Sequence, residues 1–445
     1  MACMVEIPPL AEVPDGGRDA ESSDAGSELG DAHDASNDVD DGDVLNDAAE
    51  AAEASVCGAN QKLCDGTCVP VDDPGFGCAQ PDCSPCSENH ATRGCAAGAC
   101  VILECTEGWD DCDMSPTNGC EAELASDGSN CGQCGYDCGG AACSDAVCGV
   151  ITVAMGLPQC WSVAVDDTHA YVTVVDGADN LYRVPKSGGI PTSVVPGAEP
   201  GEGEVVVEDT YLYWANRTVG QVRRVNKAGG TPSVLGASPV PKHLALDAGE
   251  IYWTDFGVSD ADGALYRAPK QPGGSTTLVA SGFRTPAGLA LVGLDVFVVG
   301  RDDGSLTRVA KDGGVIDIVD PGDPGWFQGW SVLRDGNEVL WASAPDLMAI
   351  EGMTSLVPLL LGGMEHPRVM VLDEGQLFWC SLEGPLQELR YVQRSSLPGG
   401  SWRVLASGLG CHGVAVDDDF VYFTSYTDIA SADGGILKVG RPPRP

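Results

Sequence analysis

Basic residues are scarce in this chain: 24 Lys and Arg stand against 66 Asp and Glu, a formal net charge of −42 over 445 residues. With no basic stripe to release counterions from phosphate, a nucleic-acid partner is excluded. The same imbalance argues against direct attraction to an anionic membrane surface. Long hydrophobic runs are missing as well. No stretch of eighteen apolar residues occurs, so no segment reads as a membrane-spanning helix. The familiar catalytic signatures are also absent: there is no Gly-x-Ser-x-Gly elbow, no metal-binding His pair and no Gly-rich phosphate loop.

What is present falls into three zones. Residues 1–56 are a low-complexity segment with sixteen acidic residues against the single Arg18 and no aromatic residue. Such a segment cannot offset its ordering entropy and is expected to be an extended, disordered tether. Asp38, Asp40, Asp41 and Asp43 lack the closing Glu of a calcium loop and read as a solvated charge run.

Residues 57–149 hold sixteen of the twenty cysteines; the others are Cys3, Cys160, Cys380 and Cys411. This density predicts a disulfide module in an oxidising compartment, because loops this short bury too little to fold without covalent staples. Cys83-x-x-Cys86 and Cys131-x-x-Cys134 have zinc-knuckle spacing, but the intervening cysteines are too many and too irregular for closed four-ligand sites. The pairing inside the module cannot be deduced from sequence. CTEGWDDCDMSPTNGCEAEL (105–124) and NCGQCGYDC (130–138) resemble Cys-rich modules of bacterial surface lipoproteins. Met1-Ala2-Cys3 likewise resembles the end of a lipobox. These resemblances imply an extracytoplasmic, surface, outer-membrane or secreted location, with Cys3 lipidated and the membrane met only through that anchor.

From residue 150 to 445 an apolar–x–apolar–Asp step followed by an aromatic strand recurs about every forty residues. The copies read SVAVDDTHAYV (162–172), VVVEDTYLYWA (205–215), LALDAGEIYWT (244–254), LALVGLDVFVV (289–299), SVLRDGNEVLWA (331–342), VMVLDEGQLFWC (369–380) and VAVDDDFVYFT (414–424). Most continue into a third strand and a Lys-x-Gly-Gly hairpin, so each unit comprises four antiparallel strands. Self-similarity at this period predicts an all-β fold, a seven-bladed β-propeller, with six blades as the alternative count. The last repeat lacks a fourth strand, and the orphan strand GVITVAM (149–155) is expected to supply it and close the ring. IYWTD (251–255) resembles the YWTD propellers of receptor ectodomains, which have six blades. That resemblance implies blade architecture and a binding role, not a ligand.

In a propeller the first strand of every blade lines the channel, and loops converge on its mouth. Counting back five residues from each Asp-equivalent gives a ring of Trp161, Gly203, Lys242, Ala287, Trp330, Arg368 and His412, with Glu204, His243 and Glu365 as neighbours. One reading makes Trp161 and Trp330 a core plug. The other makes the ring a pocket in which aromatic faces stack on a ligand and Lys242 and Arg368 meet an anionic group. His243 and His412 read either as hydrogen-bonding structural residues or as general bases. Cys160 and Cys411 precede the first strands of blades that become neighbours on closure, and are expected to form a disulfide, leaving Cys380 free. No cofactor is implied, calcium being the one exception left open. The favoured function is a monomeric, surface-tethered propeller that binds a protein or carbohydrate ligand without catalysis. A secreted lyase or hydrolase and a structural display module are the alternatives.

Overall fold

The computed structural model describes residues 57–444 apart from 176–180, 197–202, 260–261, 323–328, 344, 352–354, 361, 363–366, 382–386 and 426–433. The acidic segment, Cys3 and Glu365 therefore lie outside the described residues. Residues 57–445 form one compact unit.

The repeats fold as seven four-stranded antiparallel sheets, so the chain is all-β and its propeller has seven blades rather than six. In chain order the blades span 160–193, 205–237, 241–283, 286–320, 332–360, 367–407 and 411–440. The seventh takes its outer strand, Ile151–Leu157, from the start of the domain; it pairs antiparallel with Gly434–Gly440. Ring closure thus removes the two open edges that a seven-sheet array would expose. Seven hydrophobic clusters separate the blades, one for every interface including that between blades 7 and 1. An open row of seven sheets would have only six.

The second strands hold the blades together. Trp214, Trp253, Trp341 and Trp379 occupy the same position in blades 2, 3, 5 and 6, and all are fully buried. The IYWTD segment illustrates why the repeat is written as it is. Ile251, Tyr252 and Trp253 are core, and the Trp253 indole donates to Ser238 Oγ at 2.9 Å. Thr254 Oγ1 accepts from the His243 backbone at 3.3 Å, and Asp255 accepts from Val240 and Gly257 N–H groups at 2.7 and 2.9 Å. All five residues are committed inside the fold.

The recurrent Asp after each first strand has two functions. In blades 1, 3 and 7 its Oδ1 accepts from two backbone N–H groups and closes the first hairpin: Asp166 with Thr168 and His169, Asp247 with Gly249 and Glu250, Asp417 with Asp419 and Phe420. It also pairs with the cation that immediately follows the third strand of the next blade. Lys227 reaches Asp166 (2.9 Å), Lys270 reaches Glu208 (2.7 Å), and Lys311 reaches Asp247 (3.1 Å). Farther round, Arg394 reaches Asp335 (2.8 Å), Arg441 reaches Asp373 (2.7 Å), and Lys186 of blade 1 reaches Asp417 of blade 7 (2.6 Å). Six of the seven interfaces carry this pair. At the seventh, between blades 4 and 5, the acid position is held by Val292, so this pair cannot form there.

The Cys-rich module is held by eight disulfides, and its connectivity divides it into two. Numbered within 57–100, the eight cysteines pair 1–3, 2–5, 4–7 and 6–8: Cys57–Cys68, Cys64–Cys83, Cys78–Cys95 and Cys86–Cys100. Residues 105–148 repeat the order: Cys105–Cys120, Cys112–Cys134, Cys131–Cys143 and Cys138–Cys148. The module is therefore a tandem pair of like-stapled units. Each Cys-x-x-Cys sends its two sulfurs to different partners, which leaves no thiolate for zinc. The second unit packs on the ring. Cys131, Tyr136, Cys138 and Cys148 join the core between blades 6 and 7. A side chain at Gly139, whose φ is +65°, would stand 2.3 Å from the Phe420 ring.

The expected Cys160–Cys411 bond does not form. Cys411 is joined to Cys380, with Cα atoms 5.3 Å apart, and Cys160 is a buried free thiol. Cys160 and Cys411 hold equivalent positions, so they point the same way round the ring: Cys160 into the core between blades 7 and 1, Cys411 into that between blades 6 and 7. The partner of such a residue comes from the fifth position of the preceding blade's second strand. In blade 6 that position is Cys380; in blade 7 it is Thr424. Burial pushes the Cys160 thiol up to about 12. Peptide mapping without reduction is expected to link Cys380 to Cys411, and alkylation of the folded protein to spare Cys160 until denaturant is added; a Cys160–Cys411 peptide would refute this assignment.

Candidate functional site

The ring at the channel mouth is created by backbone irregularity. In blades 1, 3, 4, 6 and 7 the register between first and second strands shifts at the mouth end, skipping Trp161, Lys242 and His243, Ala287 and Gly288, Arg368 and Val369, and His412 and Gly413. Such bulges re-aim side chains that a regular ladder would send to the sheet faces. Buried threonines of the second strands hold the displaced backbone: Thr173 accepts from Ser162 N–H, Thr254 from His243 N–H and Thr424 from Gly413 N–H, at 3.3, 3.3 and 2.8 Å. Neighbouring blades are also tied together at the mouth, as by Glu204 N–H to the Lys242 carbonyl (3.1 Å) and Gly288 N–H to that of Trp330 (3.1 Å).

Four members of the expected ring, Trp161, Trp330, Arg368 and His412, line one small cavity together with two of the expected neighbours, Glu204 and His243. Lys242, a fifth member of the ring, belongs to the same cluster. Its Nζ lies 4.6 Å from the centre of the Trp161 ring and 5.1 Å from that of Trp330. The Arg368 guanidinium lies 5.4 and 4.9 Å from the same two rings. Cations over indole faces at these distances are attracted by the ring quadrupole, more strongly where water is excluded. Only 3% of Lys242 is exposed.

Two further members were missed by the sequence reading. Phe256 stacks with Lys242 at 4.9 Å and Arg301 at 4.6 Å, and Arg301 also lies 5.6 Å from the Trp330 ring. Both follow directly on a second strand, Phe256 on Glu250–Asp255 and Arg301 on Asp295–Gly300. That equivalence was the signal available. Gly203 and Ala287 of the expected ring bring no side-chain chemistry.

The two histidines differ. His412 Nδ1 lies 3.1 Å from the Trp161 carbonyl, and its ring stands 4.2 Å from the Trp161 ring. Burial, reinforced by the charges of Arg368 and Lys242, pushes its pKa well below the ordinary imidazole value, against the pull of that hydrogen bond. It is therefore neutral at physiological pH, with its proton on Nδ1. His243 instead places Nδ1 3.6 Å from Glu204 Oε2, which the Leu244 N–H holds at 2.7 Å.

The space left among these side chains is about 20 Å³, room for one water-sized group. The tryptophans are thus part of a packed cation–aromatic layer, and what faces outward is the layer's rim. Away from the channel, carboxylate oxygens of Asp111, Asp113 and Glu121 lie within 4.8 Å of one another. Asp111 and Asp113 accept from Ser115 N–H and Glu121 from Cys112 N–H, which makes them loop-closing groups.

No protein-family model and no curated protein matches the chain. The fold does have solved relatives in shape. A virginiamycin B lyase from Staphylococcus aureus superposes with a TM-score of 0.52 at 11% identity, over 64% of this chain and 95% of that one. A streptogramin B lyase gives 0.52 at 11%, over 65% and 97%. A chain of a nidogen/laminin complex is 18% identical over 47% and 83%, with a TM-score of 0.38. At such identities the first two show the propeller fold alone, and the third is too distant to carry an argument. Nine disulfides mark a protein that matures in an oxidising, extracellular or secreted setting. Among the described residues no helix is long and apolar enough to cross a membrane.

Proposed function

We propose that this protein is a surface-tethered recognition propeller that binds its ligand at the channel mouth without turning it over. The observation that carries the reading is the layer in which Lys242, Arg301 and Arg368 share the faces of Trp161, Phe256 and Trp330. A merely structural plug is made from apolar side chains, since burying charge is costly. Aromatic and Arg groups at a convergent, partly exposed rim are the composition of binding hot spots. The acidic segment and a lipid on Cys3 would present the ring away from a surface, and the resemblance to YWTD propellers points to the same role. An array of immobilised saccharides and cell-surface proteins tests it. Trp330→Ala and Arg368→Ala should each weaken retention of a bound ligand by about tenfold or more, a loss of the order of 2 kcal/mol. Equal retention by both variants would exclude the mouth.

A second reading, lyase or hydrolase chemistry at the same place, is favoured by the Glu204–His243 pair. It requires that a retained ligand be converted on incubation and that His243→Ala abolish the conversion.

A further inference from the structure

Blade 4 departs from the other six in one row of its sheet. At the second-strand position where blades 2, 3, 5 and 6 carry Trp214, Trp253, Trp341 and Trp379, blade 7 has Phe423 and blade 4 has Val298. Blade 1 has Val172 there, but its third strand sets Tyr182 opposite. Opposite Val298 stands Thr307. These side chains pack toward the preceding blade, so six of the seven interfaces receive an aromatic ring from this row. The interface between blades 3 and 4 receives Val298 instead.

Aromatic side chains bury more area than any others, and two small residues in their place leave room. The room is there. A cavity of about 240 Å³ opens at this interface, walled by Phe283 from the end of blade 3 and by Pro286, Val298, Ile316, Ile318 and Pro321. An apolar cavity of about 150 Å³ already takes up benzene, so this one accommodates a larger ring. None of the aromatic or charged residues of the channel mouth lines it among the described residues.

The polar groups of the cavity gather beside Gly300. A Cβ there would stand 2.4 Å from Asp303 Oδ1 and 2.6 Å from Ser305 Oγ. At the interface between blades 2 and 3, the Trp253 indole donates to Ser238 Oγ at 2.9 Å. Asp303 and Ser305 are acceptors of the same kind for a ring N–H. Arg284 Nη1 lies 3.8 Å from Asp303 Oδ2, with the Arg284 side chain 61% exposed and that of Asp303 11%. Ile318 is 64% exposed, an apolar wall that a bound ring would cover.

We propose that this cavity is a second binding site, separate from the mouth, that takes the indole of a tryptophan presented by a polypeptide partner. The partner inserts from outside the ring that six blades provide from within. Tryptophan is a favoured anchor of protein interfaces because it fills such pockets. A polypeptide is favoured over a free amino acid by the rim. The Arg284–Asp303 pair is neutral as a whole and offers donors and an acceptor, which match the C=O and N–H of an uncharged main chain. The ammonium and carboxylate of a free amino acid would have to part the pair.

The test follows, by fluorine NMR, the binding of N-acetyl-fluorotryptophan amide to the full chain, with N-acetyl-leucine amide, free tryptophan and indole as competitors. The tryptophan amide should bind saturably and about tenfold more tightly than the leucine amide. Val298→Trp, which gives blade 4 the residue of its neighbours, should abolish binding without lowering the urea midpoint. Thr307→Tyr, which copies Tyr182 of blade 1, should do the same. Ile318→Asp, a change at an exposed wall, should weaken binding about tenfold and leave the fold intact. Equal binding of the tryptophan and leucine amides would overturn the aromatic ligand. Free tryptophan or indole competing as well as the amide would overturn the polypeptide. A lowered midpoint in both filled variants would show that no ring fits the space, and would overturn the site. Trp326 lies five positions beyond Pro321 and outside the described residues. Binding seen only after Trp326→Ala would give the cavity to the chain itself and overturn a partner.

Discussion

Replacing Arg441 by Ala is expected to destabilise the folded protein by about 2–3 kcal/mol, because it strands buried hydrogen-bond acceptors even though the Asp373 side chain it pairs with is 44% exposed. Arg441 is the cation of the blade 6–7 interface, and only 2% of its side chain is exposed. Its guanidinium donates to Asp373 Oδ2 and the Asp417 carbonyl, each at 2.7 Å, to Gln376 Oε1 at 2.8 Å and to the Asp373 carbonyl at 3.2 Å. The tail beyond is used too: the Pro442 and Pro443 carbonyls accept from Gln376 Nε2, and that of Pro443 also from Gln393 Nε2, at 2.9–3.0 Å. Truncation therefore strands several buried groups at once, each needing a partner it had. Arg394→Ala is the internal control. Arg394 has the same place one blade earlier but is 20% exposed, so its loss should cost about 1 kcal/mol, nearer the surface-pair range. Urea midpoints of the two variants decide the matter. Equal, small shifts would mean that burial does not set the strength of these pairs.

Acid is expected to unfold the ring from below about pH 4, where ordinary carboxyl groups begin to protonate. Asp166, Asp247 and Asp417 all have carboxyl groups held below the usual range. In each, burial pulls upward but is outweighed. Lys227 with backbone donors does this at Asp166, the hairpin N–H groups with Lys311 at Asp247, and Lys186 with backbone donors at Asp417. A carboxyl depressed in the folded state stabilises above its unfolded pKa, and that contribution disappears as pH falls through the folded value. The urea midpoint should therefore be flat from pH 7 to about 5 and drop steeply below about 4. Asp166→Asn should start lower and lose less over the same range. A midpoint independent of pH down to 3 would contradict the belt as a source of stability.

How much of this was legible beforehand depends on whether a feature is local. The forty-residue period, the seven starts, the orphan strand at 149–155 and the Cys-dense module were all readable because strand alternation, turns and cysteine density are written within a few residues of one another. The positions of the mouth residues followed by counting, since every first strand starts at the channel. The ring's state did not follow. A list of Trp, Lys, Arg and His reads equally well as a pocket or as a packed layer. Only the bulges, which redirect Trp161, Lys242, Arg368 and His412, turn it into a layer with about 20 Å³ to spare.

The sequence by itself therefore determined the blade and its number, the compartment implied by the cysteines and the surface on which function is proposed. The tertiary structure decided who meets whom. Cys411 meets Cys380 rather than Cys160 because equivalent positions in neighbouring blades face the same way round the ring and cannot face each other. Lys227 meets Asp166 from 61 positions along the chain. The sixteen cysteines resolve into two like-stapled units. The reason is common to all of them. A repeat states its own fold locally, but its interfaces join one copy to the next, and the geometry between copies exists only once the ring has closed.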